Sequence, residues 1–237
     1  MNRVRRHRFS RHSSEFLDSV IALKPLFAAF DCDGTLWSGD AGEGFFSWEL
    51  DNGLVPPEVV DWARLRYAEY RAGKVSEDDM CAEMVTLHKG LSESLVQSAA
   101  NQFFDQAILP GIFPEMRRLV SKLQEQGSQV WAVSSTNEWM IRAGMRHFGI
   151  PQDKILAAMV QVDDGIITDR VVRVPSGDGK PKALQSVADQ PPDAAFGNSK
   201  WDIAMLQMAR HAFAVNPNPD LEDIARQNGW RIYYPET

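Results

Sequence analysis

Five short apolar runs, each cut off by polar or turn-forming residues, constrain the fold more than anything else in this chain. They are Leu26-Phe27-Ala28-Ala29-Phe30, Val130-Trp131-Ala132-Val133, Ala194-Ala195-Phe196, Ala212-Phe213-Ala214-Val215 and Ile232-Tyr233-Tyr234. Uninterrupted apolar runs of this length suit strands buried on both faces of a parallel sheet. Helical periods lie between them. Met116, Leu119, Val120 and Leu123 share one face and the pattern closes at Gly127, while Ile203 and Leu206 lead into the run at Ala212. Residues 14–24 read as a short amphipathic helix stopped by Pro25. Alternating strand and helix predicts an α/β fold: a doubly wound, Rossmann-like parallel sheet.

One stretch breaks the rhythm. Residues 40–109 contain no strand pattern, only helical signals at Val59-Trp62-Ala63-Leu65-Arg66, Met80-Met84-Leu87 and Leu95-Ala99-Phe103. That is too much chain for one crossover between neighbouring strands. The expectation is a core of residues 14–39 and 110–237, with residues 40–109 inserted as a helical cap over the end of the first strand. Leu109-Pro110-Gly111 marks the return to the core. Asp163-Asp164-Gly165, between two β-branched runs, reads as a hairpin turn in a small excursion before residue 175.

A length of 237 residues suits one large domain, or one carrying a smaller insertion. Hydrophobic residues at 44% and charged residues at 24% exclude collagen-like and disordered chains. No apolar run is long enough to cross a membrane. Cys32 and Cys81 alone make neither a disulfide framework nor a four-ligand zinc site, so a reducing, cytoplasmic setting is expected. The net charge of −7 is uneven: Arg3, Arg5, Arg6, Arg8 and Arg11 stand in an acid-free start, leaving −12 on the rest. Residues 1–13 are expected to form a basic, disordered arm. Clustered arginines could instead contact nucleic acid or an anionic membrane, or imitate an organelle transit peptide. No apolar segment follows them as a secretory signal requires.

The polar clusters that end the apolar runs carry the chemistry, because open α/β sheets bind ligands at strand ends. Asp31-Cys32-Asp33-Gly34-Thr35 places two carboxylates two residues apart, able to address one metal ion or phosphate; alternatively it is an acidic turn cornered at Asp33-Gly34. Ser134-Ser135-Thr136-Asn137 offers hydroxyls and backbone N–H groups to phosphate oxygens, or simply caps a helix. Gly179-Lys180-Pro181-Lys182 brings a cation just before a helix, although either lysine could be solvated. Gly197-Asn198-Ser199-Lys200-Trp201-Asp202 adds an amide and a carboxylate.

In order, these clusters resemble the four motifs of the haloacid dehalogenase superfamily, in its phosphoserine-phosphatase-like branch, over about residues 26–216. The resemblance implies a magnesium-dependent phosphatase acting on a small phosphorylated metabolite. Asp31 would be the nucleophile that becomes an aspartyl-phosphate. Asp33 would protonate the leaving alcohol and then activate water. Ser134, with Gly34, Thr35 and Ser135, would hold the phosphoryl group, and Lys180 would offset the charge between it and Asp31. Lys180 is chosen over Lys182 because Leu184, Val187 and Ala188 then fall where the family has apolar helix residues. Magnesium would be held by Asp31, the Asp33 carbonyl, Asn198 and Asp202. The family usually has Asp at the position of Asn198, so weaker metal binding is expected here.

Asp40, nine residues after Asp31, matches the acid that binds the substrate amine in phosphoserine phosphatases, with Glu43 a second candidate. Ala82 and Met84 stand where that family places arginine near the substrate carboxylate. The aromatic residues Trp37, Phe45, Phe46, Trp48, Trp62, Tyr67 and Tyr70 could complete a cage for phosphocholine or phosphoethanolamine, or be ordinary core. The competing readings are a phosphotransferase or mutase of the same superfamily, and a degenerate protein that only binds phosphate or nucleic acid. Dehalogenation does not call for a second aspartate at Asp33.

Overall fold

The computed structural model describes residues 9–236. Among them, seven strands form one sheet in the order β4-β3-β2-β1-β5-β6-β7. The five apolar runs fall in β1 (Phe27–Phe30), β2 (Gln129–Asn137), β5 (Ala194–Gly197), β6 (His211–Val215) and β7 (Arg231–Tyr233), all paired in parallel. Their lack of alternation has a direct cause: both faces are covered. Ala28 and Phe30 face a core with α1 (Arg11–Ile21), α6 (Pro114–Glu125) and α7 (Glu138–Met145), while Ala29 faces α8 (Gly179–Gln185), α9 (Ile203–Met208) and α10 (Pro219–Asn228).

The hairpin is not an excursion. Its strands, β3 (Ile155–Asp163) and β4 (Ile166–Arg173), extend the sheet: β3 pairs in parallel with β2, and β4 lies antiparallel on the edge. Ile155-Leu156-Ala157-Ala158 is as buried as the other central strands, which draws it into the core. Asp164 and Gly165 make the expected turn at φ 48° and 79°.

The first helix starts earlier than expected. Ser10 caps it by accepting from Ser13 N at 3.1 Å, so residues 11–13, assigned to the arm, form its first turn. Ser13 is buried because its hydroxyl meets the Tyr233 hydroxyl and the Glu236 carboxylate, which ties the helix to the far end of the chain. Phe9 packs against the core, and residues 1–8, with any contact of the arginines at positions 3 to 8, lie outside the described residues.

Four helices occupy residues 41–103: α2 (Ala41–Asp51), α3 (Pro57–Arg71), α4 (Glu77–Thr86) and α5 (Glu93–Phe103). Phe46, Leu50, Val55, Ala63, Val75, Met80 and Leu87 give them a small core of their own. Phe45, Val96 and Phe103 join the main core instead, anchoring the insertion to the sheet. No helix among the described residues is long and apolar enough to cross a membrane. The ends of β1, β2, β5 and β6 face these helices across a cleft of about 460 Å³.

Candidate active site

Lys180 organises the site. It is buried, and its ammonium donates to Asp31 Oδ1 at 2.7 Å, Asp202 Oδ1 at 2.6 Å and the Val133 carbonyl at 3.0 Å. One side chain thus ties together the ends of β1, β2 and β5. It sits inside α8, at its second residue, rather than ahead of the helix. Lys182 is exposed. Burial alone pushes the Lys180 ammonium down, but Asp202 and then Asp31 outweigh it and hold it well above the usual lysine value. It stays charged.

Asp31 follows β1 directly, its backbone N–H continuing the ladder to the Phe196 carbonyl at 2.9 Å. Thr35 donates to its Oδ2 at 2.8 Å. Burial first, then Asp202, push the Asp31 carboxyl up to about 6, while Lys180 and Thr35 pull the other way. Asp33 is held differently. Its Oδ1 accepts from Trp37 Nε1 at 2.8 Å and from Ala41 N, the first residue of α2, at 2.6 Å; its Oδ2 accepts from Thr136 at 2.7 Å. Burial first, then the Asp40 charge, push Asp33 up to about 7. Both carboxyls are thus raised toward neutral pH, but an ammonium beside Asp31 favours its ionised form, whereas Asp33 has the Asp40 charge beside it and is poised to give or take a proton.

Gly34 lets the fourth cluster close over the first. Its φ is +73°, and a Cβ there would meet the Asn198 amide at 1.8 Å. Asn216, at the end of β6, donates to the Gly34 carbonyl at 3.2 Å. Asp202 is fully buried, and its Oδ2 accepts from the N–H groups of Asn198 and Ser199, both at 2.9 Å. With Oδ1 on Lys180, both its oxygens are engaged. In this arrangement Asp202 holds Lys180 and the 197–199 turn and does not line the cleft.

Asp31, Asp33, Gly34, Asp40, Ser134, Ser135, Lys180 and Asn198 all border the one cleft. Two expected substrate contacts lie elsewhere. Thr35 is buried beneath Asp31, because its hydroxyl is needed to hold that carboxylate. Glu43 lines a smaller chamber of about 100 Å³ next to the cleft. Asp40 touches both cavities and caps α2 by accepting from Glu43 N at 2.8 Å. Of the seven aromatics, only Tyr67 and Tyr70 line these cavities; Trp37, for instance, is buried edge-on against Phe104. The cluster after Val133 is also more than a helix cap. β2 runs on to Asn137, which alone caps α7, accepting from Met140 N at 2.9 Å.

Several lining residues were given no role of their own by sequence reasoning. Thr136 was seen only as part of its cluster, and Asn216 stands after an apolar run, where the strand-end rule could have found it. Glu77 comes from the insertion and carries no local signal, whereas Tyr70 is one of the aromatics already singled out there.

The donor set suits a hard cation. Asp31, the Asp33 carbonyl and the Asn198 side-chain carbonyl would offer oxygens to it, and among the described residues the Asn198 side chain makes no hydrogen bond. No cluster of three or more His, Cys, Asp or Glu side chains forms a metal cage among those residues. Magnesium fits such a site, since it usually takes one or two carboxylates and completes its shell with water and phosphate.

Comparisons with known proteins point to one family. The model of the haloacid dehalogenase-like hydrolases matches residues 28–207. The chain is 26% identical over 216 residues to a histidinol-phosphatase of Neisseria meningitidis, covering 86% of this chain and 96% of that one. It is 27% identical over 220 residues to phosphoserine phosphatase SerB1 of Mycobacterium tuberculosis, covering 86% and 69%. A solved structure described as a phospho-aspartyl intermediate analogue of phosphoserine phosphatase shares the fold, with TM-score 0.58 and 20% identity over 89% of this chain and 93% of that one.

Proposed function

Since the chain belongs to the haloacid dehalogenase-like hydrolase family and is a phosphatase of it, we propose that it hydrolyses a small phosphomonoester through an aspartyl-phosphate on Asp31, with magnesium as cofactor. The observation that carries this reading is the convergence of Asp31, Asp33, Ser134 and Lys180 on one cleft.

In the first half-reaction, an Asp31 oxygen attacks phosphorus and the bond to the leaving oxygen breaks. Asp33, protonated to a useful degree near neutral pH, gives its proton to that oxygen. In the second, Asp33 takes a proton from water, the water oxygen attacks phosphorus, and the bond to Asp31 breaks to release phosphate. Lys180 keeps Asp31 oriented and offsets its charge as the phosphate approaches. Ser134, with Ser135 beside it, holds phosphoryl oxygens. When bound, magnesium supplies charge neutralisation on the phosphoryl oxygens, held by Asp31, the Asp33 carbonyl and Asn198. Asp202 would support that shell through the turn it fixes rather than by direct ligation. Helices α2 to α5 act as a cap that limits water and meets the leaving group.

The leaving group carries an amine. Three carboxylates, Asp40, Glu43 and Glu77, line the chamber beside Asp33, against one guanidinium, that of Arg71. Both histidinol phosphate and phosphoserine, the substrates in the relatives' names, bear one. The two cysteines are free and buried, which suits a cytoplasmic enzyme. The test is a panel of phosphomonoesters assayed with and without magnesium, with peptide mapping of acid-quenched enzyme. Phosphate on Asp31, and loss of turnover on the order of a thousandfold in Asp31→Asn, are expected. Unchanged turnover in that variant would sink the mechanism.

A further inference from the structure

Three cavities meet at one pair of residues. Tyr70, from α3, and Glu77, the first residue of α4, line the catalytic cleft, the small chamber and a larger outer cleft of about 780 Å³. The Tyr70 hydroxyl donates to the Glu77 carboxylate. Burial and then that carboxylate push the phenol up, so it remains a donor. Glu77 is thereby held at the junction, its other carboxylate oxygen accepting from the Cys81 thiol at 3.7 Å.

The outer cleft runs between the α3–α4 turn and the core segments around residues 176–178 and 200–207. Ser176 stands in its wall, 1% exposed, and its hydroxyl has no hydrogen-bond partner among the described residues. A buried hydroxyl left unpaired costs free energy, so it marks a place where a partner is missing. Trp201, with the Lys200 ammonium 4.8 Å from its ring centre, lines the same wall. The small chamber, at about 100 Å³, holds less than a cavity that takes one benzene ring. A leaving group of any length has its room in the outer cleft.

We propose that the outer cleft is a leaving-group subsite: the substrate's ammonium rests on Glu77 at the junction, and a second hydrogen-bonding group further along the leaving group pairs with Ser176. This rests on the hydrolytic reading above. The class of substrate is the phosphate ester of an amino alcohol with an extended polar arm and no carboxylate. A carboxylate beside the amine would face Glu77 and Asp40, and although Arg71, Lys180 and Lys200 also line the meeting cavities, the lining carboxylates outnumber these cations, so like charge discriminates against it. Phosphoserine is disfavoured on that ground, and phosphoethanolamine lacks the arm. L-Histidinol phosphate has the amine, the arm and no carboxylate.

The experiment compares kcat/KM for L-histidinol phosphate, phosphoethanolamine, O-phosphoserine and 2-hydroxyethyl phosphate in the full chain, in Glu77→Gln and in Ser176→Ala, with magnesium. The wild-type order should be histidinol phosphate, then phosphoethanolamine, then phosphoserine. Losing a hydrogen bond to a charged group should lower the ratio of phosphoethanolamine to 2-hydroxyethyl phosphate about tenfold in Glu77→Gln. Losing a neutral one should lower the ratio of histidinol phosphate to phosphoethanolamine about fivefold in Ser176→Ala, chiefly through KM. Equal wild-type turnover of the amine and hydroxyl esters, or ratios unmoved by both variants, overturns the subsite. Calorimetric binding of histidinol phosphate and phosphoethanolamine to Asp31→Asn, alone and combined with each substitution, separates the two readings. Binding preference that depends on Glu77 and Ser176, in a chain that hydrolyses no ester, would sink the hydrolytic reading and leave the subsite standing. Hydrolysis without that preference sinks the subsite alone.

Discussion

The Lys180 ammonium and the Asp31 carboxylate form a buried ion pair of 2.7 Å that joins α8 to the end of β1. Asp202 shares the same ammonium at 2.6 Å, so one cation is balanced by two acids, none of the three freely exposed. Removing the cation leaves two buried carboxylates facing each other. Lys180→Met should therefore lose roughly 3–5 kcal/mol of stability, the usual cost of breaking a buried pair. Turnover should fall by at least about a hundredfold, as when a preorganised electrostatic contact is lost. Urea unfolding and steady-state assays read the two effects separately; near-normal turnover would reassign the role to another cation.

In the proposed mechanism Asp33 sets the alkaline limb. Its carboxyl, pushed up to about 7 by burial and then by Asp40, loses its proton as pH rises through that value, so kcat/KM for esters with poor leaving groups should decline above it. Asp40→Asn removes the lesser cause. The limb should move to lower pH but stay above the ordinary carboxylate range, because burial remains. A pH profile that shifts upward, or not at all, contradicts the assignment.

In the proposed metal shell, Asn198 is the neutral ligand, where a carboxylate could stand. Asn198→Asp adds one negative charge to the proposed metal shell, and the magnesium concentration for half-maximal activity should fall about tenfold, since ligand charge tunes the affinity of such sites. Magnesium titration with calorimetry alongside checks it; weaker metal binding would mean that residue 198 is not at the metal.

Gly34→Ala tests the close approach of the first and fourth clusters. The new Cβ would meet the Asn198 amide at 1.8 Å and must adopt φ +73°. The left-handed backbone costs about 1–2 kcal/mol, and the displaced amide should raise the magnesium requirement as well. Chemical denaturation and metal titration measure these. A variant with wild-type stability and metal dependence would show that the turn tolerates a side chain.

Strand-end chemistry was readable from the chain because the apolar runs of β1, β5 and β6 stop at or within one residue of the strand's end, although β2 runs on past Val133 to Asn137. Phe30 to Asp31 and Phe196-Gly197 to Asn198 are abrupt changes of polarity, visible in one dimension. The β3–β4 pair was read as an excursion because a hairpin turn at Asp164-Gly165 looks the same wherever the hairpin packs. Thr35 illustrates the opposite limit. Its neighbours announced a phosphate site, but only packing decided that its hydroxyl serves Asp31 rather than substrate.

The sequence by itself determined the α/β alternation, the helical insertion and the order of the chemical clusters, since all three rest on local periodicity and on short polar runs. Tertiary structure decided which charges meet. Lys180 reaches acids 149 and 22 residues away, and Glu77 reaches the mouth of the site from a different helix. Such partnerships depend on where the insertion docks on the sheet, and its docking is set by side-chain packing of Phe45, Val96 and Phe103 against the core. Long-range packing of that kind leaves no periodic trace along the chain, so the residues proposed to choose the leaving group became visible only in three dimensions.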